Sequence, residues 1–434
     1  MKNTNSPNFN LIKEDFIHYL WRTKLLPAEL LTLQGQSVQI LDFGTGNMDS
    51  GPDFFNAKVV LDDQLWVGNV EMHVFTSDWI KHRHSNDDAY KNVILHVVWT
   101  NDLVKIELES IGIPTLVLNG LIPKIYLDRY LLLKNSSFEI PCKDQIATVK
   151  MARVSLWMER MAVERIEAKA QAVYTLFQNT SENWEETLYI MLVRYFGTKV
   201  NREPFERLAR AVPMKLILLN RDKPKSLEAL YFGQAGMLRD SNVEGDYYGE
   251  LSAEYNFLQR KYGLTPMDPM TWKFGKIRPA NFPTIRIAQL SAIMTNARPL
   301  FSVVLEMQEL SELRAFFNKE TTEFWDKHYT FSSKSKFSKK EISDSFFNLI
   351  CINAIGPMLF AYGKMIRNDV YILKAMHILE SISPEKNAII TGFEKLGIGV
   401  TSAYDSQACI HLKTNYCDLK KCLSCQIGHD IIKG

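Results

Sequence analysis

The chain has 434 residues, of which 46% are hydrophobic and 23% charged, and its formal net charge is +2. That length exceeds one ordinary domain, so two or three are expected, with apolar mass enough for packed cores. The near-zero balance excludes a uniformly basic nucleic-acid binder, and any such contact must come from local patches.

The opening MKNTNSPNFN has no apolar run of signal-peptide type. Helical spacing of Phe16, Tyr19, Leu20, Leu26 and Leu30, interrupted by Pro27, predicts a helix within 14–33. A strand follows at 38–41, then a loop rich in Gly, Asn and Asp over 44–52. Residues 56–61 and 65–75 read as a hairpin turned at Asp62-Asp63. Next come a polar, helical stretch at 78–92, a buried-type strand at 93–99, and strands at 104–108 and 114–118. From 149 to 311 the pattern is helical, punctuated at Pro213, Pro224, Gly263–Pro266 and Arg278-Pro279. The polar stretch 332–340 reads as an exposed loop. The apolar stretch 346–362 contains Asn348, Asn353 and Pro357, falls short of a membrane span, and reads as a buried helix followed by a break. Domain boundaries are expected as 1–145, 146–400 and a cysteine-containing tail, 401–434.

Gly51-Pro52-Asp53 and Glu71-Met72-His73 carry the chemistry. Alternation along a strand puts Glu71 and His73 on one face and Val70, Met72 and Val74 on the other. A three-residue loop at 62–64 puts Asp53 opposite His73, whereas a two-residue loop pairs Asp53 with Met72 and moves Lys58 to the Glu71 face. A divalent ion held by Asp53 and Glu71 could polarise a phosphate, with His73, His82 or His84 moving the proton. The alternative is a turn residue at Asp53 and a solvated Glu71. His82 and His84 would diverge on a helix but share a face in an extended loop. His84, Asp87 and Tyr90, at helical spacing, either support the site or form a solvated surface. His96 reads as a hydrogen-bonded strand histidine.

The order helix, strand, hairpin, helix, strand, with Asp53 and then Glu71-x-His73, resembles the PD-(D/E)XK restriction-endonuclease-like nuclease superfamily. The resemblance covers about residues 11 to 120. It implies an α/β fold, a mixed-sheet core with flanking helices, joined to a large, mostly α-helical domain. It also implies Mg²⁺ or Mn²⁺ at Asp53 and Glu71, with His73 in the position of the usual lysine. Some branches, such as the mismatch-repair endonucleases, use histidines there, and His82 or His84 could take that part. The whole chain also resembles a bacterial family defined only as a domain of unknown function.

Cys417-x4-Cys422-x2-Cys425 could ligate zinc or an iron–sulfur cluster if a fourth ligand came from Cys409, His411, His429 or Cys142. A nuclease-like core with such a triplet is similar to the iron–sulfur nucleases of recombination and adaptive-immunity systems, which use a different spacing. The alternative is cysteines packed as small hydrophobes. Lys273, Lys276 and Arg278, interleaved with Trp272 and Phe274 and followed by Arg286, suit phosphate contact and base stacking, or equally an amphipathic boundary. The expectation is a cytoplasmic, metal-dependent nuclease acting on DNA in preference to RNA, without a membrane partner. The alternatives are a catalytically silent nuclease-fold scaffold and a zinc-dependent hydrolase built on the histidines.

Overall fold

The structure, a computed structural model, describes residues 12–240, 245–296 and 298–434, so the polar start read at 1–10 lies outside the described residues. Two compact units form, Met1–Trp157 with Leu412–Gly434, and Met158–His411. The units divide the chain at 157/158 and 411/412. One continuous helix, Met151–Asn179, carries the chain across the first of them, which a composition shift does not mark.

The first unit is built on a seven-stranded mixed sheet. Its strands are β1 (Leu30–Leu31), β2 (Ser37–Asp42), β3 (Thr45–Gly46), β4 (Phe54–Leu61), β5 (Gln64–Phe75), β6 (Val93–Thr100) and β7 (Thr115–Val117). The order is β1-β2-β4-β5-β6-β7, with β3 pairing β4. Pairings from β1 to β5 are antiparallel, and β5-β6 and β6-β7 are parallel. An antiparallel bridge between Thr32 and Leu116 joins the two ends of this order.

Helix α1 (Glu14–Arg22) packs on β5 and buries Phe16, Ile17, Tyr19, Leu20 and Trp21. It stops at Arg22, short of the expected 14–33, because Lys24 turns left-handed ahead of Pro27. β5 and β6 are covered on both faces, so Val70, Met72, Leu95, Val97 and Val98 are buried alongside Asn69, Glu71, His73 and His96.

Two segments differ from expectation. The stretch 78–92 is not one helix: α2 (Asp78–Lys81) gives way to two single 3-10 turns, His84–Asn86 and Asp88–Tyr90, after Arg83 adopts φ +60°. The alternating stretch at 104–108 forms helix α3 (Lys105–Ile111), not a strand. The Glu107 carboxylate accepts the Val104 amide at 3.2 Å, and Gly112 ends the helix in the left-handed region.

The second unit is all helix around one core, with Pro224–Gln234 and Pro283–Ile293 buried on every side. The buried helix expected at 346–362 spans Asp344–Ile366, and the break follows where Arg367 turns left-handed. Asp344–Ile366 runs on through a π-helical turn, Cys351–Ile355, which absorbs Pro357. Lys169 Nζ donates to Ile352 O at 3.2 Å and to Asn353 Oδ1 at 3.0 Å beside that turn. Among the described residues this is the one helix long and apolar enough to cross a membrane, and it lies mostly within the core.

Candidate metal centre

β4 and β5 are joined by the two-residue turn Asp62-Asp63, closed by the pair Leu61–Gln64. Asp62 sits at φ +50° and its carboxylate accepts the Ser37 amide at 2.9 Å, which ties the turn to β2. Between the pairs Ala57–Gly68 and Phe54–Val70 the register slips by one residue. The slip is a bulge at Asn56, held at φ +58° with its amide donating to Asn69 Oδ1 at 3.3 Å. Asp53 therefore stands against Glu71, opposite neither His73 nor Met72 as the two loop alternatives require. Its amide donates to Glu71 Oε2 at 3.2 Å, and Asp53 Oδ2 accepts the Met72 amide at 2.9 Å. Lys58 pairs with Val67 and is exposed, away from Glu71.

On the same face of β5, Glu71 and His73 meet the segment after α2. The left-handed Arg83 lets its two neighbours, His82 and His84, both reach His73. One ligand atom from each of the three histidines lies within 4.8 Å of the other two. Glu71 Oε1 is 3.4 Å from His73 Nε2 and 3.4 Å from His84 Nε2. His73 Nε2 is 3.1 Å from His82 Nδ1 and 3.3 Å from His84 Nε2. Donors bound at about 2.0–2.1 Å around a tetrahedral ion stand about 3.3–3.4 Å apart. The four separations, 3.1–3.4 Å, lie close to that edge length, and the group whose ligand atoms are all within 4.8 Å of one another is the three histidines.

The electrostatics agree with the geometry. Burial, then Asp53 and Glu14, push the Glu71 carboxyl up to about 9. Burial, then the neighbouring histidines, pull His73 down to about 3, and burial with His84 takes His96 to about 3. His84 is lowered for the same reasons. Near neutrality Glu71 is thus protonated while His73 and His96 are neutral, so His73 is already in the form that binds metal and Glu71 holds a proton that an ion must displace. Behind the cluster, His96 Nε2 lies 2.9 Å from His73 Nδ1, while the Tyr90 ring packs on His84 at 3.8 Å.

Helix α1 supplies a second set of groups that sequence reasoning missed. His18 Nε2 lies 3.2 Å from Asp53 Oδ2. The Glu14 carboxyl, one turn earlier, is raised first by burial and then by Asp53. Glu14, Asp53 and Glu71 thus form a carboxylate group, with Asp53 raising the other two, that also feels the histidines, His82 acting on Glu14 and Asp53 on His73 and His84. The spacing Glu14-x3-His18 is the one available sequence signal, and on an amphipathic helix it reads as an ordinary surface pair.

Other expected site residues fall elsewhere. Asp87 is exposed and caps the Asp88–Tyr90 turn by accepting the Ala89 amide at 2.9 Å, and its charge acts on His84. Lys273, Lys276 and Arg278 are exposed in the second unit. Arg286 is buried with its guanidinium 3.3 Å from the Phe346 ring centre, so it is not available for phosphate. Of the candidate partners for Cys417, Cys422 and Cys425, Cys409 and His411 belong to the second unit. His429 Nδ1 is 3.0 Å from the Tyr19 hydroxyl.

The chain belongs to the family described as Protein of unknown function (DUF2851), matched over residues 14–388. No curated protein and no solved structure matches it.

Proposed function

We propose that this family member is a metal-dependent phosphodiester hydrolase acting on nucleic acid, with Glu71, His73, His82 and His84 holding one ion and Asp53 beside them. The observation that carries the reading is Glu71 Oε1, 3.4 Å from both His73 Nε2 and His84 Nε2, while Asp53 donates its amide to the other Glu71 oxygen. The element order supports the nuclease part of the reading. The order α1, β2, the β4–β5 hairpin, α2 and β6 is the order that the resemblance to the PD-(D/E)XK core implies, in which Asp53 and Glu71 would be its two carboxylates.

Imidazole donors suit zinc, and the oxygens of Glu14, Asp53 and Glu71 suit magnesium or manganese. Glu71 is common to both halves, as a shared carboxylate is in two-metal sites. A bound ion supplies Lewis-acid polarisation of a phosphoryl oxygen and lowers the pKa of water. The chain's own groups do the rest. The Met72 amide and His18 orient Asp53, and His96 orients His73. Among the three histidines His82 alone is exposed, which puts that ligand at the solvent side of the set. In the second unit, a cleft of about 530 Å³ is lined by Arg194, Lys199, Arg202, Arg207 and Lys273 together with Glu203 and Glu206, the last paired with Arg194 at 3.5 Å, so its cationic excess for phosphate contact is partly offset.

The test is cleavage of single- and double-stranded DNA and of RNA by the full chain with Mg²⁺, Mn²⁺ or Zn²⁺. Asp53→Asn and Glu71→Gln are each expected to lower the rate by about a hundredfold or more. Cleavage that survives both substitutions overturns the site. Stoichiometric metal at the histidines with hydrolysis only of non-nucleotide esters would favour the zinc-hydrolase alternative.

A further inference from the structure

A second group of potential ligands lies in the first unit, away from the histidines. Cys142 follows Pro141 in the connection after helix α4 (Lys124–Asn135), and its carbonyl accepts the amides of Gln145 at 3.0 Å and Ile146 at 2.8 Å. The next turn, Ile146–Thr148, packs on the C-terminal helix Gln426–Lys433. That helix begins directly after Cys425, and the turn Cys422–Ser424 packs on it, on α4 and on the π-helical turn Lys413–Cys417. The packing is close: a Cβ on Gly428 would stand 2.1 Å from Cys422 O, so only glycine fits there. Four elements distant in sequence therefore present Cys142, Cys417, Cys422 and Cys425 to one another. All four thiols are free.

The thiols also sense one another electrostatically. Cys422 and Cys425 both raise Cys142, and all three others raise Cys417, in each case after burial. Burial is the largest influence at all of them and raises each thiol, Cys422 to about 11; hydrogen bonds from the Gly428 and Ile427 backbone and the Trp157 side chain at Cys425, Lys134 and Lys420 at Cys422, and Lys413 at Cys417 oppose it only in part.

We propose that Cys142, Cys417, Cys422 and Cys425 form a four-thiolate site for an iron–sulfur cluster, with Cys142 as the fourth ligand that the C-terminal triplet lacks. Four cysteines are the complete ligand set of such a cluster. Zinc in the same chemistry needs sulfurs within about 4 Å of one another. No three cysteines among the described residues meet even the 4.8 Å spacing of the histidine group.

The experiment is metal and acid-labile sulfide analysis, with visible absorption, of the full chain purified without oxygen. Iron and sulfide in about equal amount, with a broad visible absorption, are expected in the wild type. Both should fall severalfold in Cys142→Ser and stay unchanged in Cys351→Ser, whose thiol is buried in the second unit. Because a variant might lose metal by misfolding, circular dichroism is recorded for each, and Cys142→Ser is also reconstituted with iron and sulfide. Folded Cys142→Ser that keeps its full iron overturns the role of Cys142. Stoichiometric zinc without sulfide overturns the cluster, and wild-type protein that holds neither, even after reconstitution, overturns the site.

Discussion

His73 Nδ1 lies 2.9 Å from His96 Nε2, and His96 Nδ1 is buried with no hydrogen-bond partner. The pair fixes tautomers. With His73 Nε2 turned to Glu71, His82 and His84 as a lone pair, its proton sits on Nδ1 and is donated to His96. The His96 proton is then left on its unpartnered nitrogen, at a cost of about 1–3 kcal/mol. A residue kept at such a cost behind a ligand is there to orient it. His96→Leu is expected to weaken zinc or manganese binding by about 10–100-fold, the usual range for an outer-shell partner, while the protein stays folded. Isothermal titration of the metal-free chain checks this, and unchanged affinity refutes the orienting role.

The raised carboxyl and the lowered histidines give the metal-free protein a defined pH response. Glu71, held up to about 9, is protonated in the fold and ionised in the unfolded chain between about pH 4.5 and 9. The folded state binds the extra proton there, so this group's contribution falls as pH rises through that window. His73 and His96, both near 3, act oppositely, and their contribution grows as pH rises from about 3 to 6.5. Between pH 6.5 and 9 only the Glu71 effect among these three remains. In chelator, the melting temperature should fall over that interval, and Glu71→Gln should flatten the slope. Metal binding at pH 7 should release about one proton from Glu71, visible as a buffer-dependent binding enthalpy.

The bulge at Asn56 sets the Asp53–Glu71 pair and is open to mutation. Its φ of +58° is tolerable for asparagine and easy for glycine. Asn56→Gly should leave metal affinity within about twofold. Asn56→Val should lose about 1–3 kcal/mol, the cost of a left-handed β-branched residue, and should weaken metal binding if the register slips back. Urea unfolding beside metal titration separates the two effects. Equal stability of Val and Gly variants would sink the bulge argument.

Gly68 marks the point where β5 passes the start of β6. A Cβ there would meet Ile94 Cγ2 at 2.5 Å and Asn92 O at 2.6 Å. Gly68→Ala is expected to destabilise the chain by about 1–3 kcal/mol through overpacking, read as a lower urea midpoint with unchanged slope.

Much of the first unit was legible because strand period and turn chemistry are local. Glu71 and His73 share a face through strand alternation, and the two strands of the hairpin follow from their apolar pattern. The register was not legible, since it depends on Asn69 accepting the amide of Asn56, thirteen residues back along a hairpin. The convergence of His82 with His84 hangs on one left-handed residue, Arg83, whose side chain gives no warning of it. At 104–108 the alternation of apolar and polar residues was outweighed by the cap at Val104 and the stop at Gly112. Glu14 and His18 could be placed beside Asp53 only by the packing of α1 on β5, and Cys142 beside the C-terminal triplet only by the return of the chain end.

That return has a consequence for how the molecule is made. The first unit takes in residues at both ends of the chain, with 158–411 between them. During synthesis its sheet emerges early, yet the helix Gln426–Lys433, which packs on α4 and takes the Tyr19 hydroxyl on His429, is made only after the whole of 158–411. Closing so long an intervening segment carries an entropic cost that grows only slowly with length. A nascent or truncated chain lacking 412–434 should therefore hold an unfinished first unit. Completion of that unit waits on the synthesis of residues far along the chain from its sheet.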